Sequence, residues 1–161
     1  MNSALMFSKA SDEWSTPQEF YDALDAEFAF DLDAAASHTH HMCPTYITVE
    51  DDSLAVDWIE WCNAEGPPPY GPPMPTVWLN PPYSKCREFF AKAEAECRKG
   101  CTVVMLVPAR TDTRWFHDHV WDAQLHCPHE GVEVRFIKGR LKFGGAIAGA
   151  PFPSMVVVFR P

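Results

Sequence analysis

The chain has 161 residues, 47% of them apolar and 22% charged, a balance that builds one ordinary domain with a core of its own. No run of about eighteen apolar residues exists, which excludes a helical membrane span. The net charge of −9 is unevenly spread: residues 1–80 carry one base, Lys9, against fourteen acids, whereas residues 81–161 carry twelve bases against eight acids. A uniformly acidic protein would repel nucleic acid; this split leaves room for a basic face in the second half.

Residues 1–12 read as a flexible N-terminal arm without the basic start and apolar stretch of a secretory signal, so a cytoplasmic protein is expected. Thr16-Pro17-Gln18-Glu19 has the form of a capping box, with Pro17 at the first helical position. Phe20, Leu24 and Phe28 then recur at helical spacing, which predicts about three turns of helix. Residues 28–36 read as a short strand running into small residues. Residues 38–44 form a His-rich loop, and Tyr46-Ile47-Thr48-Val49 a second strand ending at Glu50-Asp51-Asp52.

Residues 64–75 are rich in proline and glycine, which forbids regular helix and predicts a surface loop inserted in a single domain spanning 13–161. Thr76-Val77-Trp78-Leu79 predicts a strand, broken by Asn80-Pro81-Pro82-Tyr83. A helix is expected from Ser84 to Arg98, ended by Gly100. The apolar run from Thr102 to Val107 reads as a strand covered on both faces. A helix over 112–121 and strands over 132–137 and 155–159 complete an α/β domain with a mostly parallel central sheet.

The chemistry centres on Asn80-Pro81-Pro82-Tyr83, at the carboxyl end of a predicted strand, where open α/β sheets place ligands. The prolines fix the backbone, so the Asn80 side chain and the Pro81 carbonyl present two hydrogen-bond acceptors at little entropic cost. Neither group is an acid, a base or a nucleophile. The pair suits a planar amino group with two N–H donors, and Tyr83 offers a face on which its ring can stack. Holding both hydrogens favours the pyramidal amine, whose lone pair is then free to attack an electrophilic methyl group.

With that tetrapeptide come Glu13-Trp14-Ser15-Thr16-Pro17, Phe30-Asp31-Leu32-Asp33-Ala34-Ala35-Ala36, Glu50-Asp51-Asp52-Ser53-Leu54, residues 106–117, residues 135–145 and Ala150-Pro151-Phe152-Pro153-Ser154-Met155. Together these resemble the phage-type Dam family of DNA adenine-N6 methyltransferases, over about residues 12–160. The resemblance implies a class I, Rossmann-like fold and S-adenosylmethionine as methyl donor. It implies catalytic roles for Asn80, Pro81, Pro82 and Tyr83, and donor contacts from Trp14, Thr16, Pro17, Asp31, Asp33, Ala34 and Asp52. The chain departs from related enzymes in lacking glycine after Asp33. The choice among Glu50, Asp51 and Asp52 stays open at this point. The implied partner is double-stranded DNA, met by a monomer or homodimer. Its phosphates would meet Arg110, Arg114, Arg135, Lys138, Arg140 and Lys142, with Trp115 and Phe143 as stacking or wedge residues and the target adenine flipped out of the duplex.

Rival readings keep the chemistry and change the acceptor to RNA adenine or a protein amide, or keep the fold as a catalytically silent DNA-binding module. His38, His40, His41 and Cys43 lack the second paired set of a zinc site, and Cys86 falls on the apolar face of a predicted helix, which suits packing better than nucleophilic attack. The six cysteines read as reduced thiols.

Overall fold

The structure is a computed structural model and describes residues 14–64 and 74–161. The expected arm at 1–12 and most of the Pro-rich loop at 64–75 lie outside the described residues. Among the described residues no helix is long and apolar enough to cross a membrane.

The strands in chain order are β1 (Leu32–Asp33), β2 (Thr76–Leu79), β3 (Thr102–Pro108), β4 (Trp121–Asp122), β5 (Cys127–Pro128), β6 (Val132–Phe136) and β7 (Ser154–Phe159). Five of them form one sheet in the order β1-β2-β3-β7-β6, and β4 with β5 makes a separate hairpin. β1, β2 and β3 pair in parallel, whereas β7 is antiparallel to both neighbours. The sheet is therefore mixed rather than mostly parallel in its pairings. Four strands run one way, but inserting β7 between β3 and β6 makes half of the ladders antiparallel. An apolar run such as residues 155–159 shows burial on both faces and carries no sign of its direction.

The helices are α1 (Gln18–Phe28), α2 (Trp58–Cys62), α3 (Cys86–Arg98) and α4 (Arg114–His119). Alternation along β3 explains the layering. Val103, Met105 and Val107 join Trp58, Phe89, Phe90 and Phe116 in one core, beneath α2, α3 and α4. Val104 and Leu106 point the other way and pack with Tyr21 and Leu24 of α1, Trp78 and Phe143. Both faces of the sheet are covered, which is why the β3 sequence is apolar without interruption.

Several local expectations change. The predicted capping box does not form: Pro17 is the N-cap of α1, and no side chain caps it. α1 extends to Phe28 and ends at Ala29 in the left-handed conformation, its N–H donating to the Asp25 carbonyl at 2.8 Å. The strand expected over 28–36 shrinks to Leu32–Asp33 as a result. The second strand, at 46–49, shrinks to one parallel bridge between Asp33 and Tyr46. The helix expected over 112–121 is α4 alone, because Trp121 already belongs to the β4–β5 hairpin. α2, unforeseen, is capped by Asp57, whose Oδ1 accepts from the amides of Ile59 and Glu60.

Candidate active site

The chain leaves β1, bridges to it again at Tyr46 on its outer side, and returns through α2 to β2 on its inner side. Such a reversal opens a crevice at the carboxyl ends of the strands. A cleft of about 720 Å³ lies there. Its walls include Trp14, Thr16, Asp33, Ala34, Ala35, Asp52, Asn80 and Pro82, joined by Ala36, Ile47, Leu54, Lys85 and Phe89, for which the sequence predicts no role in the site. A volume of this size suits a nucleoside-sized ligand.

Asn80 is the centre of the arrangement. Its Nδ2 donates to the Trp14 carbonyl at 2.6 Å and to Thr16 Oγ1 at 3.1 Å. A carbonyl only accepts, so these bonds fix which end of the amide is nitrogen. Thr16 therefore serves Asn80 rather than the start of α1, which explains the missing capping box. Asn80 Oδ1 is buried without a hydrogen-bond partner among the described residues. A buried acceptor left open costs stability, and a site that retains one reserves it for a ligand donor.

An aromatic cage adjoins the cleft on this side. Trp14 lies parallel to Tyr83 with ring centroids 6.3 Å apart, and the edges of Phe143 and Phe152 meet Trp14 at 5.4 and 5.2 Å. Phe152 also meets Tyr83 edge-to-face at 5.3 Å. The sequence segment containing Phe152 was noted, but no role was given to it; its contact with Tyr83 joins residues far apart in the chain. The Tyr83 hydroxyl is buried and has no hydrogen-bond partner among the described residues, and burial pushes its pKa well above the usual phenol value. Phe143, expected as a wedge, is 4% exposed and buttresses Trp14 instead.

The acids separate clearly. Asp33 is 3% exposed; its Oδ1 accepts from the Ala35 amide at 3.2 Å and Oδ2 from Met42 at 2.9 Å, which shapes the loop after β1. Burial pushes its carboxyl up to about 6, opposed by those two amides and by nearby His41. Asp51 is occupied: its Oδ2 accepts from the Thr48 amide and hydroxyl at 2.9 and 2.7 Å. Asp52, held at φ 54°, lines the cleft, and no hydrogen bond engages its carboxylate among the described residues. Of the three acids in Glu50-Asp51-Asp52, only Asp52 lines the cleft.

Two expected cofactor residues stand elsewhere. Asp31 Oδ2 accepts from the Thr76 amide at 2.9 Å. Thr76 begins β2 and Asn80 follows its end, so Asp31 lies at the opposite edge of the sheet from the cleft. Pro17 starts α1, its carbonyl accepting from Phe20 and Tyr21 at 3.1 Å, and it does not line the cleft.

Most of the expected DNA-facing cations gather on the Asn80 edge. The β3 strand ends there before Arg110, β6 ends there before Lys138, and antiparallel β7 begins there after Phe152. Arg110, Arg114, Lys138 and Lys142 are exposed, with no ion pair among the described residues. Arg140 is also exposed, its Nη1 donating to the Ala150 carbonyl at 3.4 Å. Arg135 is not available to a phosphate: Glu27 grips it with two bonds of 2.6 Å and Glu133 holds its Nε. Trp115, expected to stack on DNA, is half-buried and stacked on Phe90 at 4.8 Å, so it packs against the core. The His-rich loop is tied locally, with His41 stacked on Tyr46 at 4.1 Å and Cys43 Sγ 3.3 Å from the Tyr21 hydroxyl. A second cleft of about 470 Å³ beside α3 is lined by charged groups, among them Glu94, which meets Arg98 at 2.6 Å and His119 at 2.9 Å.

Residues 4–161 match the family described as DNA N-6-adenine-methyltransferase (Dam). The chain is similar to the DNA N-6-adenine-methyltransferase of Escherichia phage T1, with 35% identity covering 92% of this chain and 63% of that protein. It is also similar to the DNA N-6-adenine-methyltransferase of Haemophilus phage HP1, with 28% identity covering 96% of this chain and 83% of that protein. The chain thus spans less than two thirds of the T1 protein's length. No solved structure matches it. With the match running nearly end to end and taking in the cleft, the cage and Asn80, the chain belongs to the DNA N-6-adenine-methyltransferase (Dam) family.

Proposed function

We propose that this protein transfers a methyl group from S-adenosylmethionine to N6 of adenine in duplex DNA. The observation that carries the reading is Asn80 Oδ1, a fixed and unsatisfied acceptor where an acidic cleft meets an aromatic cage. The strand order, with antiparallel β7 between β3 and β6, supports a class I, Rossmann-like methyltransferase fold over residues 13–161.

The cleft fits the donor in size and in donor–acceptor chemistry. Asp33 would hold its ammonium group, Asp52 its ribose hydroxyls, and Ala34 with Thr16 its methionine end, with Ile47 and Leu54 as apolar wall. When bound, S-adenosylmethionine supplies a methyl group activated by a sulfonium. Asn80 Oδ1 and the Pro81 carbonyl accept the two N6–H bonds of adenine. The donors Trp14 and Thr16 need from Asn80 keep its amide from turning. As N6 becomes positive during attack, two oriented acceptors meet that charge without reorganising. Tyr83 stacks the flipped base, and Phe152 limits it from the edge.

The Tyr83 hydroxyl takes no part in this scheme. Tyr83→Phe is expected to leave transfer within about threefold and to keep or slightly raise thermal stability, since it removes a buried unpaired polar group. Steady-state rates and a thermal melt check both.

The reading is tested by incubating the protein with labelled S-adenosylmethionine and unmethylated duplex DNA, then digesting the DNA and identifying nucleosides by mass. N6-methyldeoxyadenosine is the expected product, with transfer falling as salt rises. Label appearing in RNA or protein alone, from protein that binds the donor, refutes DNA as the substrate.

A further inference from the structure

Flipping an adenine leaves a gap in the base stack, and the lost stacking is costly unless something fills the gap. The cage around Tyr83 explains where the base goes, not what replaces it. Ile147 stands out on this edge of the molecule. It is 96% exposed, the most exposed large apolar side chain among the described residues. Single exposed apolar residues are ordinary; this one has a specific setting.

Ile147 tips a loop of otherwise small residues, Gly144-Gly145-Ala146-Ile147-Ala148-Gly149, a profile thin enough to enter a groove. The stem of that loop is clamped. The Ala150 amide donates to the Leu141 carbonyl at 2.8 Å, Ala146 to Phe143 at 3.0 Å, and Gly144 to Ser15 at 2.9 Å. Gly149 lies against Arg140 so closely that a Cβ there would come within 2.6 Å of the Arg140 Cβ. Phe143, at the root of the loop, packs on Trp14 in the cage. Exposed Lys138, Arg140 and Lys142 lead into the loop, complementary in charge to a phosphate backbone. Leu125, 72% exposed, sits instead in the β4–β5 segment, away from these cations in sequence.

The geometry points to Ile147 as the residue that enters the base stack of duplex DNA and holds the space vacated by the flipped adenine. This rests on the reading of the protein as a DNA adenine methyltransferase. The lysines and arginine seat the stem on phosphates, and the apolar tip exchanges water for base faces.

The experiment compares two duplexes carrying a site mapped in the transfer assay, one with the target adenine opposite thymine and one with it opposite an abasic position. An unpaired adenine leaves the stack more easily, so it depends less on a wedge. Ile147→Ala is expected to lower kcat/KM by about tenfold or more on the paired duplex, and by no more than about twofold on the abasic one. Ile147→Leu should retain the paired-duplex rate, and Leu125→Ala should match the unsubstituted protein on both. Equal losses on the two duplexes, or no loss on the paired one, overturn the wedge. If the unsubstituted protein methylates no adenine in either duplex, the reading beneath it fails first, and the wedge falls with it.

Discussion

Replacing Asn80 by alanine is expected to lower methyl transfer by about a thousandfold or more, while S-adenosylmethionine binding stays within about fivefold. The loss is large because the amide does two things at once. Its oxygen, unsatisfied among the described residues, is the proposed acceptor for the reacting amine, and its nitrogen ties Trp14 and Thr16 to the end of β2. On the proposed mechanism, alanine removes the acceptor for charge developing on N6, an interaction that strengthens only as the amine attacks. It also leaves the Trp14 carbonyl without its donor, which costs about 1–3 kcal/mol of stability. A thermal melt therefore accompanies the assay, to show that the variant is folded at the assay temperature. Single-turnover rates with saturating donor isolate the chemical step. Transfer retained near the original rate in a folded variant would remove Asn80 from the mechanism.

The parts of this protein legible in its sequence are those set by neighbours in the chain. The strand–tetrapeptide–helix unit around Asn80 appears where it was expected, because Pro81 and Pro82 end β2 whatever surrounds them. The apolar run of β3 holds for a similar reason, each residue being buried on one face or the other. The errors share a different cause. Thr16 was read as a helix cap because its partner Asn80 lies 64 positions away. Arg135 was read as a phosphate ligand because Glu27, 108 positions away, gives no local sign of claiming it. Asp31 looked equivalent to Asp33, yet one step of strand before β1 turned it toward the start of β2. Asp52, expected from the sequence, is distinguished from its acidic neighbours by its place on the cleft wall, while Thr48 occupies Asp51. Phe152 joins the cage through the pairing of β7 with β3, and no spacing rule links it to Tyr83.

Donor affinity is expected to rise about tenfold per pH unit up to pH 6 and to level off above it, because Asp33 titrates there. The direction follows from burial. In the free protein the carboxyl has two backbone amides for company, and its burial pushes its pKa up to about 6 from the ordinary carboxylate value of 3.8. A raised pKa means that the folded state favours the neutral acid. That contribution to stability is fully present below pH 3.8 and is lost as pH rises through about 6. Above that pH the site holds a buried carboxylate with no cation bonded to it among the described residues, and on the proposed reading the ammonium of S-adenosylmethionine would supply one. Binding should therefore release protons, close to one per donor bound well below pH 6, about half at pH 6 and none above it, with affinity falling again where the donor's own α-amino group titrates, at about 8. Asp33→Asn should weaken donor binding by about tenfold or more at pH 7 and abolish the rise between pH 5 and 6. The asparagine keeps one acceptor for the loop, so the lost slope, rather than the lost affinity alone, reports on the charge. Calorimetric titrations across pH 5 to 7.5, in buffers of differing ionisation enthalpy, measure both slope and proton release. A flat profile for the unsubstituted protein, or an unchanged slope in Asp33→Asn, would assign the ammonium to another partner, with Asp52 the remaining acid on the wall of the cleft.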